Sequence, residues 1–204
     1  MPLISFRLPM VAALAAGIAM LSGCDRETRA PAQPQSSASA AAAEPGASEA
    51  FAGKIDRSHA GSVLPKAMVT DAKGAKLNIE SLAGKAVLIN LWATWCAPCV
   101  KELPTLNELA ARHAGRLAVV TVSQDMAPSD PAQPDKISAM MTGRHYDHLP
   151  AWRDPDNTLA FFYNSGELPT SVLYDAHGHE VWRMVGAHDW AAPDSAALIA
   201  PALN

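Results

Sequence analysis

Two cysteines stand two residues apart in the string NLWATWCAPCVKELP, which runs from Asn90 to Pro104. A C-x-x-C pair can close a disulfide, hold part of a metal site or exchange electrons with another protein. A disulfide between Cys96 and Cys99 closes a loop of only four residues. Such a short loop stabilises a fold by only about 2 kcal/mol. A purely structural disulfide therefore explains the pair poorly.

The residues around the pair predict a buried strand followed by a helix. The run AVLINLWA, residues 86–93, is almost wholly apolar, as in a strand that is covered on both faces. From Ala97 to Gly115 apolar residues recur every three or four positions, which indicates a helix. Pro104 falls inside this helix, where we expect it to cause a kink.

The predicted helix start gives the two thiols different roles. Unpaired N–H groups at a helix N-terminus favour a thiolate, so we expect Cys96 to be the exposed, attacking thiol. Cys99 follows one turn later and is expected to be the sheltered thiol that resolves a mixed disulfide. Pro98 fits the first turn, where its missing N–H costs nothing.

A closed zinc site would need four ligands, and the sequence has no second C-x-x-C. Two thiols can hold Cu(I), so a copper-handling role stays open.

The rest of the pattern predicts an α/β domain, in which a mixed sheet is covered by helices on both faces. The elements follow one another as a hairpin, a strand, a helix, a strand, two helices, a second hairpin and a last helix. The first hairpin is expected near residues 67–79, and the second turns at His177 and Gly178.

The first residues predict a processed export signal. MPLISFR carries one positive charge at Arg7, and the apolar run after it spans about 16 residues, whereas a membrane-spanning helix needs roughly 20. The run ends in LSGC, which resembles the lipobox of bacterial lipoproteins. That resemblance implies that residues 1–23 are a signal peptide and that Cys24 carries lipid. Asp25 similarly resembles an inner-membrane retention signal. The alternative is an uncleaved helical anchor with a free cysteine at its end.

Residues 24–57 predict a flexible tether between the anchor and the domain. The stretch is rich in Ala, Ser and Pro and has no apolar periodicity, so it cannot bury enough surface to order itself. The globular domain is then expected at residues 58–204. The net charge is −4 at pH 7 and no basic run occurs, which argues against nucleic acid as a partner.

Two strings together resemble a known family. VLINLWATWCAPCVKELPTLNEL, residues 87–109, and ELPTSVLYDAHGHEVWRMVG, residues 167–186, are similar to the two signatures of membrane-anchored thiol:disulfide reductases of the TlpA/ResA type. The match runs from about Leu64 to the C-terminus. It implies a thioredoxin-like fold whose redox centre is the Cys96–Cys99 pair, and we expect no cofactor and no resident metal.

The resemblance also implies what surrounds the dithiol. It makes the bond before Pro169 a cis peptide and places this proline against the cysteines. Leu168 and Thr170 flank the proline, and Trp92 and Trp95 precede the first cysteine. We expect these residues to form the surroundings of the active site.

A glutamate near the second cysteine is a further candidate. Thioredoxin has a buried aspartate where this chain has Asn90, and the TlpA/ResA group lacks that aspartate. Some members use a glutamate three residues after the second cysteine, which maps onto Glu102. Positions 99 and 102 share a helix face, so this carboxylate could take the proton of Cys99. The alternative is an acid that acts on the helix dipole from the solvent side. Glu167 stands where the family often has glycine.

The resemblance implies an enzyme that delivers electrons to oxidised proteins outside the cytoplasm. Its clients would be apocytochromes c or proteins of copper-oxidase assembly. Its electrons would come from a thiol-transferring membrane protein, and the lipid would hold it on the periplasmic side of the inner membrane. Two alternatives stay open: an oxidase that donates disulfides, and a metallochaperone that binds Cu(I).

Overall fold

The computed structural model describes residues 51–125, 132–164 and 166–203. The predicted signal peptide, Cys24 and most of the predicted tether lie outside these residues. Within the described ranges, no helix combines the length and the apolarity that crossing a bilayer requires.

The described residues alternate strands and helices in nearly the predicted order. The strands are β1 (Lys54–Asp56), β2 (Met68–Thr70), β3 (Lys76–Asn78), β4 (Ala86–Trp92), β5 (Leu117–Ser123), β6 (Trp152–Arg153), β7 (Thr170–Tyr174) and β8 (Glu180–Val185). The helices are α1 (Ala97–Arg112), α2 (Gln133–Gly143), α3 (Thr158–Tyr163) and α4 (Ser195–Ile199), with 3₁₀ turns at Ile79–Leu82 and Ala200–Ala202. Both predicted hairpins form, as β2–β3 and β7–β8. The two-residue strand β6 and the strand β1 were not predicted.

All eight strands join one mixed sheet in the order β1-β8-β7-β4-β5-β6-β2-β3. β4 lies near its centre, pairing in parallel with β5 and antiparallel with β7. Every residue of β4 is buried, which explains why its sequence is apolar without alternation. The C-terminal end of this strand leads straight into the cysteines.

Helices cover both faces of the sheet, as predicted. On one face Leu88 of β4 shares a core cluster with residues of α1, α2 and α4. On the other face Val87 and Ile89 share a second cluster with Leu159 and Tyr163 of α3. Successive residues of a strand point to opposite faces, so β4 contributes to both cores.

The sheet begins before residue 58, where the domain was predicted to start. Lys54–Asp56 pairs with β8 as an edge strand, and the amide of Gly53 donates to the carbonyl of Ala187 at 2.8 Å. The end of the predicted tether therefore belongs to the fold. The three-residue strand is too short to show a period-2 pattern, so its pairing with a distant strand left no local signal.

Candidate active site

Cys96 and Cys99 form a disulfide at the start of α1. Their Cα atoms are 5.3 Å apart. Cys96 is the N-cap residue of the helix, and its Sγ accepts a hydrogen bond from the amide of Cys99 at 3.3 Å. Pro98 lies in the first turn, as predicted. The helix N-terminus therefore meets the sulfur of the first cysteine.

The two sulfur-bearing residues differ in exposure in the predicted order, but both are largely covered. Cys96 is 6% exposed and Cys99 is 1% exposed. The expectation of an openly exposed Cys96 was wrong in extent, because this residue lies in the wall of a groove. Cys99 lies behind it, in the core cluster that also contains Trp92.

The groove beside Cys96 has a volume of about 720 Å³. Residues from the ends of β4 and β5, from the start of α1, from α3 and from the segment before β7 contribute to its lining. These residues are Leu91, Trp95, Cys96, Ala97, Pro98, Gln124, Asn157, Ala160, Phe161, Asn164, Gly166, Glu167 and Leu168. Cys96 lines this groove and Cys99 does not, so a molecule in the groove reaches the first sulfur.

The turn before β7 brings the predicted proline into this region. The peptide bond between Leu168 and Pro169 is cis, as predicted. Leu168 lines the groove, while Pro169 and Thr170 are buried. The hydroxyl of Thr170 donates to the carbonyl of Glu167 at 2.8 Å, and the amide of Gly186 donates to the carbonyl of Pro169 at 2.9 Å. These bonds hold the turn between the groove and the strand pair β7–β8.

Glu102 is buried behind the dithiol, with 1% exposure. Its Oε1 accepts a short hydrogen bond from the indole N–H of Trp190 and a longer one, at 3.3 Å, from the amide of His188. Its Oε2 accepts from the side-chain amide of Asn90 at 3.4 Å. Burial raises the pKa of Glu102 from 4.5 to about 8, although these hydrogen bonds act in the opposite direction. The alternative of a solvent-side acid is therefore excluded.

Sequence reasoning missed two of the groups that hold Glu102. Trp190 and His188 lie in the segment between β8 and α4, more than eighty positions further along the chain. The structure places Trp190, fully buried, in the segment before α4. No local pattern relates these residues to position 102.

It also missed most of the groove. Gln124 follows β5 directly, and the ends of parallel strands are where α/β proteins collect binding residues. That position was a usable signal. Phe161 belongs to α3 and is 78% exposed. The sequence predicted this helix but not its place beside the cysteines.

The fold and the site define a class. A mixed sheet with helices on both faces, a C-x-x-C disulfide at a helix N-terminus and a cis proline in the adjoining turn make up a thioredoxin-like thiol-disulfide oxidoreductase. Residues 60–189 match the AhpC/TSA family, and the chain belongs to that family.

Known relatives agree with this class. The chain is 34% identical to the thiol-disulfide oxidoreductase ResA of Bacillus cereus. The alignment spans 137 residues, which are 67% of this chain and 75% of the relative. The crystal structure of a thiol-disulfide oxidoreductase from Bacteroides vulgatus shows the same fold, with a TM-score of 0.59. The two chains are 22% identical, and the superposition covers 72% of this chain and 99% of the other. The pneumococcal exposed lipoprotein thioredoxin from Streptococcus pneumoniae has a TM-score of 0.53 at 26% identity, over 61% and 92% of the two chains. The chain is thus a redox enzyme that acts by thiol–disulfide exchange.

Proposed function

We propose that this enzyme is a reductase, which passes electrons from its dithiol to disulfides of client proteins. The observation that carries the proposal is the charge around the dithiol. Glu167 lines the groove at Cys96, and the carboxyl group of Glu102 is buried one helical turn beyond Cys99. None of the described residues that line the groove carries a positive charge.

These charges bear on the direction of electron flow. Strongly oxidising enzymes of this kind owe their potential to a stabilised thiolate in the reduced form. A neighbouring carboxylate disfavours a thiolate, and the buried carboxyl group of Glu102 adds no positive charge to stabilise one, whether it is protonated or ionised. The reduced dithiol is therefore a ready electron donor.

The reaction then takes two exchanges. The thiolate of Cys96 attacks one sulfur of a client disulfide in the groove, forming a mixed disulfide and releasing the other client sulfur as a thiolate. The thiolate of Cys99 next attacks Sγ of Cys96. This second step closes the Cys96–Cys99 disulfide and frees the client's remaining thiolate, so the client gains the two electrons that the dithiol loses.

Glu102 would manage the proton of Cys99. With a pKa of about 8 in the disulfide form, it carries a proton at neutral pH. When an electron donor attacks Cys96, Cys99 leaves as a thiolate and can receive that proton. In the client reaction the Glu102 carboxylate takes it back as Cys99 becomes a nucleophile. Because this pKa is close to that of a thiol, the free energy of proton transfer between Glu102 and Cys99 is small in both directions.

The enzyme would work outside the cytoplasm, held to the membrane by lipid on Cys24 and a tether of about thirty residues. The LSGC string supports the anchor, and the similar pneumococcal protein is itself described as an exposed lipoprotein. Clients of the apocytochrome c or copper-oxidase assembly type, and a thiol-transferring membrane protein as electron donor, complete the proposal.

The reduction potential tests the direction. We expect equilibrium with a glutathione buffer to give a value near that of thioredoxin, about −270 mV. A value near −120 mV would make the enzyme a disulfide donor instead. In cells, the Cys99→Ala variant should accumulate mixed disulfides through Cys96, and mass spectrometry of these adducts identifies the clients. Stoichiometric Cu(I) binding by the dithiol without any turnover would contradict the proposal altogether.

A further inference from the structure

The groove beside Cys96 is lined mostly by apolar and uncharged groups. Trp95, Pro98, Phe161 and Leu168 give it large apolar surfaces. Among the described residues of the lining, Glu167 is the only one with an acidic or basic side chain. The single carboxylate lies two positions before the cis proline and lines the same groove as Cys96, which a client sulfur must enter.

The side-chain amide of Gln124 supplies another acceptor to the lining. Gln124 is only 7% exposed, and its side-chain nitrogen donates to the carbonyl of Val122 at 3.4 Å. Its Oε1 is buried and, within the described part of the chain, accepts no hydrogen bond. A buried acceptor without a donor costs free energy, which a ligand donor in the groove would recover.

The two acceptors come from opposite sides of β4. Gln124 follows β5, which pairs with one edge of β4, and Glu167 precedes β7, which pairs with the other edge. Leu91, near the C-terminal end of β4, also lines the groove. A segment that crosses the end of β4 to reach Cys96 therefore passes both acceptors.

Lysine and arginine are the side chains that match these acceptors. Each has several N–H donors and no acceptor, carries a positive charge, and has an aliphatic stem that packs on apolar surface. The Glu167 carboxylate would repel an acidic client residue in the same place. Such a residue would also provide no hydrogen-bond donor for the amide oxygen of Gln124. We propose that the groove selects client segments in which a lysine or arginine accompanies the disulfide cysteine. This inference rests on the proposed reductase function and specifies its substrates.

Matched peptides test the selection. Three peptides with the same intramolecular disulfide carry arginine, norleucine or glutamate beside one cysteine, and single-turnover reduction by the pre-reduced enzyme is followed by chromatography. We expect the rate constant to fall in that order, with arginine about five- to tenfold above glutamate at low salt, in line with a partly covered charge pair. The ratio should shrink in high salt, where the charge is screened.

Variants divide the preference between the two acceptors. Glu167→Gln should reduce the arginine-to-glutamate ratio to about twofold or less, and Glu167→Lys should reverse it. Gln124→Met keeps the length of the side chain but removes the acceptor, so it should reduce the arginine-to-norleucine ratio. Glu108→Gln removes an equal charge from the exposed side of α1, outside the groove, and should change neither ratio.

The outcomes separate this inference from the proposed function. Reduction of all three peptides at equal rates would overturn the inference and leave the reductase intact. A preference that survives in Glu167→Gln and Gln124→Met alike would also overturn it. Failure of the pre-reduced enzyme to reduce any of the peptides would count against the reductase itself and remove the basis of the selection.

Discussion

Cys96 and Cys99 are one helical turn apart, yet only Cys96 reaches the groove. An incoming sulfur can therefore meet Cys96 alone, and Cys99 can act only after the first exchange. We expect Cys96→Ser to reduce disulfide turnover to the uncatalysed background. Cys99→Ser should complete the first exchange and stop, so that a covalent adduct with the client accumulates on a non-reducing gel. Multiple turnovers in either single variant would contradict the dithiol mechanism.

At the buried Glu102, ionisation makes the free energy of unfolding depend on pH. Its pKa is about 8 in the folded protein against an ordinary 4.5, so unfolding between pH 4.5 and about 8 releases a proton. The free energy of unfolding therefore contains the full contribution of Glu102 below pH 4.5, and it falls as the pH rises from 4.5 to about 8. We expect Glu102→Gln, which keeps the shape and cannot ionise, to remove this loss. The oxidised wild type should lose on the order of 3–5 kcal/mol relative to the variant across that window.

Urea unfolding at a series of pH values measures this difference. The same variant should also lose an apparent pKa near 8 from the pH dependence of mixed-disulfide resolution. Parallel stability curves for the wild type and Glu102→Gln would show that the carboxyl group ionises normally in the fold. An unchanged pH–rate curve would remove Glu102 from the proton transfer.

At the scale of elements, the short helix α3 is held by buried charged groups at both ends. At its start the carboxylate of Asp154 accepts from the amides of Thr158 and Leu159, at 2.9 and 2.8 Å. At its end the guanidinium of Arg183 donates to the carbonyl of Tyr163 at 2.8 Å. A helix of six residues has little stability of its own. These anchors therefore position the groove wall that α3 contributes.

A bulge in β8 makes the second anchor possible. Residues three apart on a regular strand point to opposite faces. Here Leu173 pairs with Trp182 and Tyr174 with Glu180, which leaves Val181 as an extra residue. Glu180 and Arg183 therefore reach the same face, where two hydrogen bonds of 2.8 Å join them and both are almost fully buried.

Arg183→Met tests the anchor. The substitution leaves Glu180 buried without its partner, and we expect a loss of about 3–5 kcal/mol in the free energy of unfolding. Glu180→Gln combined with Arg183→Met removes both charges and should regain most of that loss. The double variant still lacks the bond to Tyr163, so its reduction of a peptide disulfide should need a higher peptide concentration. Equal instability of the single and double variants would contradict the buried ion pair.

At the scale of the whole molecule, the redox-site residues named above belong to the described domain, whereas the predicted lipid site, Cys24, lies outside the described residues. The site needs residues from the β4 end to Trp190, all within 51–203. We expect Cys24→Ala to abolish lipid attachment and release the protein from the membrane fraction. Purified Cys24→Ala protein should reduce a peptide disulfide at the wild-type rate, since no groove residue is changed. Metabolic labelling with a radioactive fatty acid, followed by membrane fractionation, measures the first effect. Undiminished membrane attachment would favour the uncleaved helical anchor.

The sequence alone was enough for the features that depend on neighbouring residues. The apolar run of β4, the helical period after Ala97 and the placement of Cys96 at the helix start are local patterns, and each of them is found in the structure. The resemblance of two short strings was likewise enough for the class of enzyme and for the cis bond at Pro169.

Tertiary structure decided what lies around the dithiol. Glu102 is buried because Trp190 and His188 return to it from the C-terminal segment, and Gln124 and Glu167 share a groove because β5 and β7 flank β4. Arg183 reaches α3 only through a bulge at Val181. Such contacts join residues that are far apart in the chain, and the period of neighbouring residues carries no information about them. Local sequence patterns therefore determined which residues form the dithiol. Long-range packing determined the burial of Glu102, the position of Glu167 and the shape of the groove.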